Sequence, residues 1–284
     1  MLTEVQAGPY TVRGISVAGV YTSLQVPELG VVLDAGVPLR SFATTDHLFL
    51  SHGHADHASA LGSLLAIRGL VGKHSPAQVY LPAEIESAVR EALEALGRLH
   101  RSEVAYETIP MLPGDTRKVD RDIWVRAFRT HHAGPSLGYQ FLKRVTKLKP
   151  EHQGLPGEEI ARLRREGTPG IFEEVERLEV AYATDTLARV LESAPSILES
   201  RVLILESTYL DPKRTVEETQ ERLHTHLDEI IDRADLFKNE ALVLMHFSQL
   251  YGPQQVHDLI RQRVPEALRQ RIQVFAPSTN AWFG

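Results

Sequence analysis

Short runs of apolar residues recur along the whole chain and are separated by polar stretches that contain glycine and proline. β-Branched and aromatic residues are frequent in these runs, which is typical of strands buried in a sheet. The runs predict strands at residues 30–34, 47–51, 78–81, 123–128, 138–142, 179–184, 201–207, 241–247 and 272–276.

Other segments place their apolar residues at a helical period. In residues 84–99, Ile85, Val89, Leu93 and Leu96 recur at the spacing of one helix face. Further helices are predicted at residues 58–68, 216–236 and 254–262. Because helices and strands alternate, and some strands follow one another like hairpins, the pattern predicts a layered α/β protein.

Residues 143–178 depart from this pattern. They are polar, rich in proline and glycine, and predict an excursion from the core with one short helix at 157–166. A solvated loop is an equal alternative. From 143 to 170 the segment has seven lysines and arginines against four glutamates, a net charge of +3, so it is only weakly basic.

Composition narrows the class of protein. The chain has 284 residues, a formal charge of −6 and no cysteine, which excludes disulfides, thiolate metal sites and a globally basic surface. We find no internal repeat, signal peptide or apolar run long enough for a membrane span. We therefore expect one domain over residues 1–284 in a soluble, cytoplasmic protein.

The loop SHGHADH carries four potential metal ligands directly after a predicted strand. His52 and His54 are spaced to lie on one side of the extended chain, whereas Asp56 and His57 lie on the turn into the next helix. Imidazole and carboxylate ligands without thiolate suit Zn²⁺ or another divalent metal. Such a group would be costly to bury without a partner, so the loop predicts a metal site.

Further ligand-type residues follow three other predicted strands. His131 and His132 come after 123–128, Asp185 ends 179–184, and His246 ends the apolar strand 241–247. A single histidine at a strand end is more often structural than functional. Together with the loop, these residues favour a two-metal site.

The order of these motifs resembles the metallo-β-lactamase superfamily, and within it the ribonuclease Z family of tRNA 3′-processing endonucleases in its short plant-type form. The flanking stretches HAGPSLGYQF, ATDT, LESTYLD, LHTHLDEI and MHFSQLY resemble that family's blocks. The resemblance runs from about residue 10 to 280. It implies an α/β fold, the metallo-β-lactamase four-layer αββα sandwich.

The resemblance also implies a ligand set, in which His132 is preferred to His131 because it stands six residues before Gly138. The first of two Zn²⁺ ions, for which Mn²⁺ or Fe²⁺ are alternatives, would be held by His52, His54 and His132. The second would be held by Asp56, His57 and His246. Asp185 would bridge both ions.

The implied reaction is endonucleolytic removal of the 3′ trailer from precursor tRNA by a hydroxide bridging the two metals. Asp56 would act as ligand and base, and His224, assisted by Glu206, would donate a proton to the leaving oxygen. His226, on the same predicted helix, is the rival proton donor. We expect Asp34 to accept a hydrogen bond from a ligand histidine or a loop amide. The family likeness further suggests a homodimer.

Several positions differ from the family pattern. Ala55 replaces a glycine, Leu250 replaces an arginine, and LESTYLD lacks a histidine before its glutamate. The segment 143–178 is shorter than the long arm of bacterial enzymes. Two alternatives therefore remain open: a hydrolase of a small phosphodiester, ester or lactam, and a metal-stabilised binding protein without turnover.

Overall fold

The computed structural model describes residues 2–101, 104–279 and 281–282, and within them two seven-stranded sheets. The first sheet follows chain order: β1 Thr3–Ala7, β2 Tyr10–Val17, β3 Tyr21–Val26, β4 Val31–Leu33, β5 His47–Phe49, β6 Ala77–Pro82 and β7 Tyr106–Met111. Strands β1 to β4 pair antiparallel, whereas β4 to β7 pair parallel. The carboxyl ends of β4, β5 and β6 therefore meet at one edge.

The second sheet has the same division into two halves. Its strands are β8 Thr116–Lys118, β9 Ile123–Arg129, β10 Leu137–Leu148, β11 Phe172–Ala183, β12 Val202–Glu206, β13 Ala241–Met245 and β14 Ile272–Val274. Strands β8 to β11 pair antiparallel, and β11 to β14 pair parallel. The ends of β11, β12 and β13 therefore also lie side by side.

Helices cover the outer face of each sheet. The α-helices of the described residues are α1 Ala55–Ala58, α2 Leu61–Leu70, α3 Glu86–His100, α4 Gly157–Glu166, α5 Val190–Ser193, α6 Val216–Glu221, α7 Leu227–Ile231, α8 Pro253–Arg263 and α9 Glu266–Arg269, of which α4 buries no residue and covers neither sheet. Leu64 of α2 packs with Leu48 outside the first sheet, and Ile230 of α7 packs with Leu203 outside the second. The predicted four-layer αββα sandwich is confirmed. Among the described residues, no helix is long and apolar enough to cross a membrane.

Strand β12 shows why the central runs are continuously apolar. Val202 and Ile204 point into the core between the two sheets, whereas Leu203 and Leu205 point into the core beneath the helices. Both faces are buried, as expected for parallel strands covered on each side. Burial of each such side chain stabilises the folded state by about 1.5–3 kcal/mol. This packing holds the ends of the strands in place.

The segment 143–178 is an extension of the second sheet. Strands β10 and β11 pair antiparallel from Tyr139 opposite Tyr182 out to Leu148 opposite Phe172, and α4 lies between their outer ends. We call residues 143–178 the hairpin arm. Helix α4 matches the short helix expected at 157–166, and the strands on either side of it pair with each other instead of forming a solvated loop. The sequence did not predict the outer parts of β10 and β11 as strands, because their residues are polar and largely exposed.

The prediction of one helix over residues 216–236 is wrong. Helix α6 ends at Glu221, Leu223 adopts a left-handed conformation (φ 62°), and α7 begins after His226. His226 and Glu229 form a capping box that starts the second helix. The helical period of the apolar residues could not reveal this left-handed turn between two short helices.

Strands β1, β2, β3, β7 and β8 were not predicted, because they lack continuous apolar runs. β3 is the clearest case, since Thr22, Ser23 and Gln25 are buried within it. Gln25 donates a hydrogen bond of 2.6 Å to the Thr45 hydroxyl, so its burial is compensated. Only the folded structure supplies such a partner.

Gly36 lies where the exit of β4 meets the ligand loop. A Cβ atom here would overlap the carbonyl group of Asp56 and lie 2.8 Å from the Thr22 amide nitrogen. The neighbouring Ala35 amide donates a 2.7 Å hydrogen bond to the His57 carbonyl. Glycine therefore permits the close backbone approach that holds Asp56 and His57 in place.

We expect Gly36→Ala to lower the free energy of unfolding by about 1–3 kcal/mol, because both contacts are backbone atoms with little freedom to move. Denaturant unfolding of the variant measures this change. Gly69→Ala is the control, since its Cβ would meet no atom within 4 Å and alanine favours the helix. Equal stability of the two variants would contradict this account of Gly36.

Candidate metal centre

The first half of the site follows β5. His52 and His54 lie in the loop after this strand, and Asp56 and His57 lie in α1. His52 and His57 are buried, Asp56 is half-buried and His54 is exposed. The strand and the short helix therefore carry all four side chains to one end of the sandwich, as the spacing predicts.

The second half comes from three strand ends of the other sheet. His132 follows β9, Asp185 follows β11, and His246 directly follows β13. Asp185 (φ 42°) and His246 (φ 59°) adopt left-handed backbone conformations, which are uncommon for residues other than glycine. Such conformations cluster at functional sites, where the surrounding structure maintains them.

Asp185, His224 and His246 form one small group whose donor atoms lie within 4.8 Å of one another. The seven predicted ligands themselves meet in two groups at the same separation: His52, His54, His132 and Asp185 in the first, and Asp56, His57 and His246 in the second. Asp185 faces both. Its Oδ2 atom lies 3.6 Å from the Nε2 atom of His132, and its Oδ1 atom lies 3.2 Å and 3.3 Å from those of His57 and His246. All seven predicted ligands are thus brought together, with the carboxylate of Asp185 between the groups.

The donor atoms fit divalent metal ions. The Nε2 atoms of His57 and His246 lie 3.3 Å apart, and the buried Nε2 atom of His52 has no hydrogen-bond partner. The Nδ1 atoms of His57 and His246 already contact Asp34 and Thr208. Lone pairs therefore converge where a cation would satisfy them, and imidazole with carboxylate is a suitable set. The cluster can hold divalent metals.

Burial and the surrounding charges favour a neutral His52 and an ionised Asp56. For His57, burial acts to lower the pKa, but the carboxylates of Asp185 and Asp34 outweigh it and raise the pKa well above its usual value in the metal-free protein. Burial, assisted by the charge of His57, lowers the pKa of His52 to about 2. Burial alone would raise the pKa of Asp56, but the rings of His246 and His57 hold it well below its usual range. Neutral imidazole and ionised carboxylate are the forms that bind a metal.

Comparison with known proteins assigns the family. Residues 30–247 match the model described as Beta-lactamase superfamily domain. tRNase Z TRZ1 of Arabidopsis thaliana is 33% identical over 270 residues, covering 94% of this chain and 95% of the relative. The chain belongs to the tRNase Z family. A second Arabidopsis member, the chloroplastic tRNase Z TRZ2, is 32% identical and covers 90% and 72%.

A solved structure shares the fold of this tRNase Z family member. The crystal structure of human tRNase Z, short form, aligns with a TM-score of 0.61 and covers 98% of this chain and 97% of the human chain. The two sequences are 18% identical. The expected superfamily, family and fold are confirmed.

Asp34 accepts hydrogen bonds that orient two of the clustered histidines. Its Oδ1 atom accepts a 2.7 Å hydrogen bond from the Ser51 amide, and its Oδ2 atom accepts from the Ser51 hydroxyl, His57 Nδ1 and the Tyr182 hydroxyl. The Ser51 hydroxyl also lies 2.9 Å from the Nδ1 atom of His52. The expected hydrogen bond from a histidine of the cluster to Asp34 is present, and it orients the ring of His57. Asp34 also orients the ring of His52, through the Ser51 hydroxyl.

The structure distinguishes the two histidines considered as proton donors. The Nδ1 atom of His224 lies 3.1 Å from Glu206, and its ring centre lies 5.3 Å and 5.6 Å from those of His132 and His246. His226 is buried, accepts the Asp228 amide at Nδ1 and donates to the carbonyl oxygen of Asp211. His226 is therefore a capping residue, and His224 lies at the cluster.

Glu206 is buried at the end of β12 and accepts four hydrogen bonds, from His224 and from the Thr186 amide, the Thr208 hydroxyl and the Thr225 amide. Burial lowers the pKa of His224, but the carboxylate of Glu206 outweighs it and raises the value to about 9. His224 therefore holds a proton at neutral pH in the metal-free protein.

The remaining histidine of the pair, His131, lies outside the cluster. Its Nε2 atom is 2.8 Å from the Ser193 hydroxyl, which agrees with the preference for His132. Sequence reasoning missed Ser51, Tyr182, Thr208 and Gly19, whose amide donates to Asp56 Oδ2 at 2.9 Å. No local pattern marks them, because each has a partner at the site that lies far away in the chain, and Gly19 takes part only through its backbone amide.

We expect Asp34→Asn to weaken metal binding by about 10–100-fold. The side-chain NH2 of asparagine would face groups that now donate hydrogen bonds to the carboxylate, so at least one of these bonds would be lost. Competition with a chromophoric chelator measures the dissociation constant. Asp211→Asn is the control, because Asp211 also accepts a phenolic hydrogen bond, from Tyr251, but holds no member of the cluster. An Asp34→Asn protein with wild-type metal affinity would disprove this role.

Proposed function

We propose that this chain is a metal-dependent endoribonuclease that removes the 3′ trailer from precursor tRNA. The observation that carries the proposal is that the seven proposed ligands lie together in a chain of which 94% aligns with a protein named tRNase Z. Fold alone would not choose a substrate, because one fold serves many reactions.

Two metal ions, proposed to be Zn²⁺ with Mn²⁺ or Fe²⁺ as alternatives, fit the two groups. His52, His54 and His132 would hold the first ion, and Asp56, His57 and His246 the second. Asp185 would serve both, because each of its oxygens faces one group. When bound, such ions lower the pKa of water and neutralise phosphate charge.

Asp56 is proposed to act as base as well as ligand. Gly19 donates its amide proton to Oδ2 of Asp56, so the carboxylate is oriented before substrate binds. The side chain is half-buried, so part of it is accessible to solvent. A fixed, ionised carboxylate in this position can accept a proton from the attacking water.

His224 is proposed as the proton donor to the leaving 3′-oxygen. Its Nδ1 atom is engaged by Glu206, so Nε2 is the atom available to the substrate. In the metal-free protein, Glu206 raises the pKa of His224 to about 9, which favours the protonated ring that a proton donor needs. This arrangement pairs an oriented acid with a buried carboxylate, as general acid catalysis requires.

A hydrolase of small phosphodiesters, esters or lactams is the second candidate, and the hairpin arm favours it. Arg144 stacks on Trp124 and lies near Glu174 and Glu176, while Arg162 pairs with Glu159 and Glu166. Cations engaged in this way contribute less to binding an RNA backbone, whose affinity depends on neutralising phosphates.

We also propose that residues 1–284 form one catalytic unit, that it acts in the cytoplasm, and that it works as a homodimer. Family likeness supports the homodimer, and the unbroken pairing within each sheet supports the single unit. Residues 1, 102, 103, 280, 283 and 284 lie outside the described part of this span.

Zinc-loaded protein is expected to cleave a precursor tRNA transcript at the junction between the tRNA and its 3′ trailer, and to leave a 3′-hydroxyl on the tRNA. His54→Ala should reduce the rate at least about 100-fold, because it removes a ligand of the first group. Gel analysis of end-labelled transcript measures both, and His131→Ala is the neighbouring control. Cleavage of bis(p-nitrophenyl) phosphate with intact precursor tRNA would refute the tRNA assignment and favour the second candidate.

His224→Ala is expected to lower kcat by about 10²–10⁴-fold, the usual contribution of a positioned general acid. His226→Asn should stay near wild type, because asparagine also caps a helix. Single-turnover cleavage with saturating enzyme separates this chemical step from RNA binding. The assignment would be wrong if His226→Asn lost activity while His224→Ala kept it.

A further inference from the structure

The metal centre is divided between two sheets that face each other. The first sheet supplies the ligand loop from His52 to His57, whereas the second supplies His132, Asp185 and His246. The distance between the two halves therefore depends on contacts that cross the core. A shift of about 0.5 Å is enough to disturb such a constellation, so these contacts determine how well the ligands fit an ion.

A phenolic hydroxyl makes one of these crossing contacts next to the centre. Tyr182 lies on β11, is fully buried, and donates a 2.6 Å hydrogen bond to the Oδ2 atom of Asp34 after β4. Burial and the charge of Asp34 hold the pKa of Tyr182 well above its usual value, so the hydroxyl remains a donor. The bond joins two segments 148 positions apart in the chain.

Both ends of this bond lead to proposed ligands. Asp34 accepts from His57 and Ser51, and Ser51 contacts His52, so one end of the bond reaches one histidine of each ligand group. At the other end, Tyr182 lies on β11, three residues before Asp185, which follows the end of that strand. Tyr139, which pairs with Tyr182 in the sheet, donates instead to the Leu50 carbonyl at 2.7 Å and makes no bond to Asp34.

We propose that Tyr182 is a positioning residue of the metal centre, whose hydroxyl sets the placement of His52 and His57 relative to Asp185. Without it, Asp34 keeps its bonds to Ser51 and His57 but loses its connection to the opposite sheet. The ligands would then occupy a broader range of positions, and the centre would hold metal more weakly. This inference rests on the proposed metal-dependent function.

Tyr10 provides a matched control. It lies on β2 of the first sheet, is buried, and donates a 2.8 Å hydrogen bond to the buried carboxylate of Glu179 on β11 of the second sheet. The bond has the same chemistry and also crosses the core, but none of its partners belongs to the metal cluster. Replacing either tyrosine with phenylalanine removes one hydroxyl and preserves the ring.

The experiment compares Tyr182→Phe and Tyr10→Phe with the wild-type protein. Zinc dissociation constants are measured by chelator competition, and Tm is measured on the metal-free proteins. We expect the zinc dissociation constant of Tyr182→Phe to rise about tenfold, while Tyr10→Phe keeps the wild-type constant. Both variants should show a lower Tm without metal, because each loses a buried hydrogen bond.

A double-mutant cycle tests whether Tyr182 acts through Asp34. In the Asp34→Asn background, Tyr182→Phe should change the zinc dissociation constant no further. An equal fold-change in both backgrounds would overturn the inference, as would a Tyr182→Phe protein with wild-type zinc affinity. If the wild-type protein binds no zinc or other divalent metal, the proposed function itself fails and the inference falls with it.

Discussion

The carboxylate of Asp185, buried between two groups of imidazoles, is the constraint on which the rest of the site depends. Each of its oxygens faces one group, and a buried charge in this position is tolerable only with cationic partners around it. Placing it requires that β11 end there, that the backbone turn left-handed, and that the Thr184 hydroxyl donate to Oδ1. The two halves of the molecule therefore converge on one side chain.

The layered architecture makes this convergence possible. In each sheet the parallel strands end at the same edge, so residues that follow different strands become neighbours without long loops. Because β12, β13 and the last five residues of β11 are buried on both faces, their ends are held by packing on each side. Buried hydrogen bonds to Asp34 and Glu206 then orient His57 in α1 and His224 in the turn before α7.

Sequence reasoning succeeded where structure is local. The central strands are apolar on both faces, so continuous apolar runs marked them, and the histidine loop is contained in one short segment. It failed for β3, whose buried polar residues find partners only after folding, and for residues 216–236. There, a left-handed Leu223 and a capping His226 divide what appeared to be one helix. The hairpin arm was anticipated as an excursion, but its ribbon of paired strands was not.

The amino-acid sequence by itself determined the ligand types, their order, and the way His52 to His57 lie together, because a strand and a tight turn place neighbouring residues in predictable directions. Only the tertiary structure decided that Asp185 faces both groups, that His224 approaches the cluster while His226 caps a helix, and that Tyr182 reaches Asp34. These contacts join segments far apart in the chain. Their geometry follows from how two sheets pack, which no local spacing of residues encodes.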